Sequence, residues 1–302
     1  PVPMFAVTME DFVHPMPVIE LLWRSCCASE SEKQEGSLTT RLKVRQWTQL
    51  LVDQSLLLGS SSEGVHLHDI VLQYLRKQLS EAEMRAEHRK VVEGMMAASQ
   101  ARMERTGRGF EDCGSTSRAF DGEELDFYVC MVGSFHVKHA MDLSVALVMD
   151  GDLKRWILSD DRMLVQAFAT AVGMEGLDTL KAHFTENDEW LSASRVAWAK
   201  TALSKGNESR AHCNVALDII RQSELTTPGA QQLEYYILEA SYYLESGGRE
   251  RERKGKRIET LLAANPGLKI DKGMLAMIRC HSKGAALLCQ YTAGLGQRRR
   301  GQ

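Results

Sequence analysis

Proline is scarce: six residues, none of them between Pro17 and Pro228. Proline removes a backbone donor and clashes with the preceding helical turn, so a stretch free of it can run helix after helix, broken only at glycine-bearing turns. The seven cysteines, Cys26, Cys27, Cys113, Cys130, Cys213, Cys280 and Cys289, are odd in number, scattered and nowhere spaced C-x-x-C. That pattern argues against a disulfide framework or a zinc module and for a reducing, cytoplasmic setting. No apolar run reaches the ~18 residues of a membrane span, and no charged-then-apolar leader opens the chain. Charge of one sign is also missing. A formal net charge of −3 over 302 residues creates no global field toward nucleic acid or an anionic membrane. There is no Gly-x-x-x-x-Gly-Lys-Ser/Thr loop to cradle phosphates, no Gly-x-Ser-x-Gly elbow and no metal-dependent hydrolase motif. The chain by itself is therefore expected not to be an enzyme.

What is present is an ordinary globular composition, with 44% hydrophobic and 25% charged residues, long enough for roughly two or three domains of about 100–150 residues. The chain opens on Pro1-Val2-Pro3, and we read it as a piece of something longer. Residues 1–79 mix helix and strand. Pro15 and Pro17 precede a helix in which Val18, Leu21, Leu22 and Cys26 share a face, since proline is well tolerated in a first turn. After a polar loop from Ser29 to Gly36, Thr39 or Thr40 can cap a second helix that repeats Val44, Trp47 and Leu51. Ser55–Leu58 and Val65–Leu67, on either side of a turn cluster from Gly59 to Gly64, read as a β-hairpin. Asp69 can cap a further helix whose face is Val71, Leu75 and Leu79.

From Glu81 the helical period dominates: residues 81–104, then a glycine-bearing linker from Thr106 to Gly122, then Glu124–Leu147 with Tyr128, Val132, Phe135 and His139 on one stripe, then Asp161–Ala171. Two helical hairpins follow. Trp190–Leu203 pairs with Ser209–Arg221 across Gly206-Asn207, and Ala230–Leu244 pairs with Arg249–Ala263 across Gly247-Gly248. Asn265-Pro266-Gly267 is a helix stop, and Arg298–Arg300 a loose tail. The fold class is mostly α: a winged-helix layout at 1–79, a helical domain at 80–185, and helical hairpins at 186–302 whose spacing a tetratricopeptide-like repeat would accommodate.

Three ordered blocks carry a resemblance. They are Val18-Ile19-Glu20-Leu21-Leu22-Trp23, then Leu50-Leu51-Val52-Asp53-Gln54-Ser55-Leu56-Leu57, then Val65-His66-Leu67-His68-Asp69-Ile70-Val71 with Tyr74-Leu75. In this order and spacing they resemble the winged-helix domain of NB-ARC proteins, the signal-transducing ATPases, in the apoptotic protease-activating factor type. Leu125-Asp126-Phe127-Tyr128, Phe135-His136 and His139-Ala140 are similar to the helical domain that follows it there. The resemblance implies a regulatory fragment whose nucleotide-binding domain lies upstream and binds ADP or ATP. His68, the histidine of the His-Asp motif, would reach the β-phosphate of ADP and hold the inactive state. Asp69 would cap the adjoining helix and help fix the ring. It further implies a protein partner on the C-terminal helices and a homo-oligomer on activation.

Plainer readings stand beside these. His66 and His68, two apart on a strand, would share a face, but no third metal ligand is suitably spaced. His136 and His139 read as core or boundary histidines, and Tyr128 and Phe135 as core. The run Arg249–Arg257, six cations against two carboxylates, reads as a solvated helix face. A winged helix can bind DNA, and Arg41, Lys43 and Arg45 sit on its second helix. Residues 1–79, however, hold seven Lys/Arg against nine Asp/Glu, a net of −2, where phosphate neutralisation needs an excess of cations. The other alternative is a helical-repeat interaction scaffold with no nucleotide link.

Overall fold

The computed structural model describes residues 2–27, 38–106, 123–141, 155–157, 159, 161–223, 227–245 and 248–268. They are mostly helical, with one two-stranded antiparallel sheet. Contacts divide the chain into two compact units, Pro1–Leu177 and Asp178–Gln302. Among the described residues, no helix is long and apolar enough to cross a membrane.

The first unit begins with a short helix α1 (Val2–Ala6) and continues into α2 (Met16–Cys26). Pro17 lies in the first turn of α2, and the helix buries Met16, Val18, Ile19, Leu21 and Leu22. Helix α3 (Leu38–Asp53) already includes Thr39 and Thr40, so neither residue is its cap. Its buried residues are Val44 and Thr48, one turn apart. Trp47 stays 43% exposed, its ring 6.4 Å from that of Trp23. Arg41 and Arg45 reach the Glu20 carboxylate at 3.3 and 3.9 Å.

Strands β1 (Leu57–Ser60) and β2 (Gly64–Leu67) form the expected hairpin, with Leu57 opposite Leu67 and Leu58 opposite His66. Leu57, Val65 and Leu67 are buried while Leu58 is exposed. Gly64, at φ +95°, lies so close to the segment before α2 that a Cβ would stand 2.7 Å from the Val13 side chain. That closeness allows His14 to bridge Val65: His14 N–H donates to the Val65 carbonyl at 2.7 Å, and Val65 N–H to the His14 carbonyl at 2.9 Å.

Helix α4 (Asp69–Lys77) ends before Leu79 and centres its buried face on Leu72, with Val71 and Leu75 half-buried, a rotation from the face expected. Arg76 fastens α4 to the segment after α1, donating to the Ala6 and Thr8 carbonyls and pairing with Glu10 at 2.7 Å. Helix α5 (Glu81–Thr106) crosses α2 at Gly94, where a Cβ would fall 2.0 Å from Ser25 Oγ. Helix α6 (Glu123–Ala140) packs on α5, and the buried Asp126 pairs with Arg102. The linker between them lies outside the described residues, as do residues 142–150 and the Arg298–Arg300 tail. Helix α7 (Arg162–Glu186) is two helical stretches joined at Gly173 (φ 76°, ψ 173°), close to the Ala171 end expected for the first. Asp161 caps it through the Met163 and Leu164 N–H groups and accepts from Ser99 of α5.

The second unit is a succession of helices in which each packs on the next: α8 (Trp190–Ala199) with a 3₁₀ turn Lys200–Leu203, α9 (Asn207–Gln222), α10 (Pro228–Leu244) and α11 (Gly248–Ala264). Thr227 caps α10, its hydroxyl accepting from Ala230 N–H at 3.3 Å. The charge run is part exposed face and part core. Arg253 and Lys256 pair along α11 with Glu250 and Glu252. Lys254 turns inward to Glu245 at 2.7 Å, while the exposed Arg257 reaches the buried Glu234 at 2.8 Å. Glu245, just past α10, also holds Arg210 of α9 at 3.5 Å, while Arg210 donates to the Leu244 carbonyl and Arg251 to the Glu245 carbonyl. Three cations from two helices thus meet at the negative end of a third.

Because Glu245 and Lys254 are both buried, removing one partner strands the other's charge. Glu245→Ala is expected to destabilise the second unit by about 3–5 kcal/mol in chemical denaturation. Glu252→Ala, on the exposed face, should leave the transition unmoved.

Candidate functional site

Two groups of histidines differ sharply in setting. His68 ends the extended segment after β2 and precedes α4. It lies past the strand, not on it, so it does not share a strand face with His66. It is itself the N-cap of α4: its Nδ1 accepts from the Ile70 N–H at 3.4 Å, and its carbonyl accepts from Leu72 N–H at 3.0 Å. The cap expected of Asp69 therefore belongs to the ring one residue earlier. Asp69 is instead the first helical residue, where its carboxylate favours the positive end of the helix dipole. An imidazole that accepts at Nδ1 carries its proton on Nε2 when neutral, so the cap selects the tautomer with an outward Nε2–H donor. His68 is exposed, and beside it Ile70 and Tyr74, one turn apart, are 72% and 62% exposed. This end of α4 offers the ring N–H of His68 to an acceptor, near the exposed apolar side chains of Ile70 and Tyr74.

His14, His88 and His136 are internal. His136 of α6 lies fully buried between two partners: the His88 Nδ1 of α5 stands 3.0 Å from its Nδ1, and the Tyr128 hydroxyl 2.6 Å from its Nε2. Tyr128 is also fully buried, and donating to His136 Nε2 is the arrangement that leaves its O–H partnered. Polarity then follows along the line: Tyr128 O–H to His136 Nε2, His136 Nδ1–H to His88 Nδ1. The exposed His139 stacks on His88 with centroids 5.0 Å apart. His14 is buried across the Tyr128 ring at 5.8 Å, with Phe12 at 5.2 Å. Met9's backbone lies nearby, yet neither ring nitrogen has a partner in hydrogen-bonding geometry.

Burial keeps His14, His88 and His136 neutral. It pulls His14 down to about 4, with a further push from His66, and His88 down to about 3, with His139 and Arg76 adding to it. His136 lies well below its ordinary value, first by burial and then by His88, His14 and His139. His139 is lowered by burial, then by Lys138 and Arg76. Burial raises the Tyr128 phenol and the Cys26 thiol. The buried His14, His88 and His136 are not poised near neutral pH for proton transfer; no three His, Cys, Asp or Glu among the described residues are grouped to hold a metal ion. Cys26 and Cys27 are free thiols.

Of the residues singled out in the sequence, His136, Tyr128 and Phe135 come together in the core, whereas His68 does not join them. Sequence reasoning missed His88 and His14. His88 carries a usable signal, falling in register with Met84, Val91 and Met95 on the apolar stripe of α5. His14 carries none, because a long-range bridge to Val65 puts it inside. No family model, no curated protein and no solved structure matches the chain.

The two settings predict opposite mutational behaviour at pH 7.5. His68→Ala should shift folding stability by no more than about 0.5 kcal/mol. His136→Ala, which opens a cavity and orphans both Tyr128 and His88, should lose about 3 kcal/mol or more. Urea denaturation of the two variants checks this.

Proposed function

We propose that the first unit carries the winged-helix lid of an NB-ARC-type signalling ATPase, whose nucleotide-binding domain lies upstream of Pro1. In the inactive state His68 Nε2–H donates to the β-phosphate of ADP. The observation that carries the reading is the exposed N-cap ring with its Nδ1 engaged and its Nε2–H free. The order helix, helix, hairpin, helix from α2 to α4 supports the winged-helix assignment. Asp69 disfavours an anion held by this end of the helix alone, which agrees with a phosphate bound mainly by the upstream domain. Exchange of ADP for ATP then releases the lid, a two-state equilibrium biased by differential contacts. The following helical segment, through about residue 185, passes the lid's position to the C-terminal hairpins. These act as a repeat-like array for a protein partner, and the activated parent forms a homo-oligomer. A DNA role is opposed by the charge balance and by the pairing of Arg41 and Arg45 with Glu20.

A second reading, a helical interaction scaffold without a nucleotide link, draws on the succession α8 to α11. A parent gene with no phosphate-binding loop ahead of the codon for Pro1 would select it.

With the upstream domain present, His68→Ala should weaken ADP binding about tenfold or more, the scale of one hydrogen bond to a charged group, and raise basal nucleotide exchange. Isothermal titration of the parent and the variant measures it; equal affinities would remove His68 from the switch.

A further inference from the structure

The buried rings are more than packing. We propose that the line His88–His136–Tyr128, with His14 lying over the Tyr128 ring, is a proton-sensitive latch that closes the α5–α6 seam and the hairpin segment at neutral pH and opens them on acidification. The inference rests on the geometry of these rings and holds whatever His68 contacts.

Two Nδ1 atoms 3.0 Å apart share one proton. In the polarity set by Tyr128, His88 Nδ1 is occupied as an acceptor and its proton sits on Nε2. A further proton on the line enters at His136 Nε2, which then points its N–H at Tyr128 Oη; the proton shared by the two Nδ1 atoms places the imidazolium on His136 or on His88, and in either case the Tyr128 O–H loses its acceptor. The protonated line therefore combines a buried charge with a buried orphan hydroxyl, each unfavourable in a dry interior.

Among the described residues, no carboxylate acts on His88 or His136 to neutralise the charge. Arg76 on α4 acts on His88 and His139, Lys138 on α6 acts on His139, and His66 on β2 acts on His14. On α2, Cys26 faces Tyr128, with its thiol held protonated in a setting it shares with Glu87 and Lys90. Glu10 is engaged by Arg76. His139, exposed and stacked on His88, offers a solvent-side route for the proton. The latch spans three pieces of chain, α5, α6 and the segment before α2. Through the His14–Val65 bridge that last segment is tied to β2, which runs directly into His68.

The sign follows from linkage. The closed form binds these protons with folded values below the ordinary 6.5, so it is fully favoured above about pH 6.5 and loses ground as pH falls toward the folded values near 4 and 3. Each ring that protonates only when open changes the opening equilibrium by up to about tenfold per pH unit in that window.

The test is hydrogen–deuterium exchange of the full chain at pH 7.5, 6.5 and 5.5, corrected for the intrinsic exchange rate. Amides of α5, α6 and β2 are expected to lose at least about tenfold protection between pH 6.5 and 5.5, while those of α8 to α11 change far less. His88→Phe, which keeps a ring beside Phe135 without a titratable group, should flatten the loss. Should that variant not fold, histidine NMR of the unaltered chain decides alone. Rings that stay neutral to pH 5.5 in the protected state and charge only as protection is lost support the latch. Buried rings that titrate near 6.5 with protection intact overturn it, as does an equal pH slope in both units.

Discussion

One line of hydrogen bonds governs the interior of the first unit: a phenol, an imidazole and a second imidazole, each obliged to find its partner away from water. A buried polar group without a partner is more damaging than an absent one. The packing of α5 on α6 must therefore keep His88 and His136 in register, not merely fill space with apolar side chains. Gly94 lets α2 approach α5, and Asp126 joins Arg102 across the α5–α6 pair. The close passage of Gly64 brings His14 in beside Tyr128. The hairpin and the helices behind it are thus tied through aromatic and imidazole rings as well as through Val65, Leu67 and Leu72.

The same side chain does different work a short distance away. His68 is held by one long bond from Ile70 N–H and otherwise faces solvent, with a defined donor and little structural duty. His136 has both nitrogens engaged and no access to a ligand. Residue type alone does not separate a contact residue from a core residue; desolvation and the count of satisfied nitrogens do. The second unit solves a related problem with charge, since Arg210, Arg251 and Lys254 gather on the carboxylate and the last carbonyls at the end of α10.

Most of the helices were legible because helical periodicity, Gly206, Pro228 and the Asn265-Pro266-Gly267 stop are local signals, and the hairpin was legible from its glycine turn. What escaped was set by contacts distant in sequence. The outward turn of Trp47 depends on Val44 and Thr48 taking the inner face of α3, and the rotation of α4 onto Leu72 depends on Arg76 reaching back to Ala6 and Thr8. Asp69 is the better capping residue by type, yet the chain enters α4 so that the ring of His68 reaches the Ile70 N–H first. His14 had no periodic signature at all, because an isolated bridge to Val65 carries it into the core. His68 was legible as a candidate from its neighbours, while its tautomer became visible only with the cap.

The lid reading turns on whether the free Nε2–H of His68 meets a nucleotide phosphate. The most direct measurement is a histidine-selective ¹⁵N spectrum of the parent protein, with its upstream domain, recorded with and without ADP. The expected result is a change at His68 Nε2 on ADP binding, with Nδ1 still an acceptor and the resonances of His88 and His136 unmoved. Saturating ADP that leaves His68 Nε2 where it stood would contradict the phosphate contact.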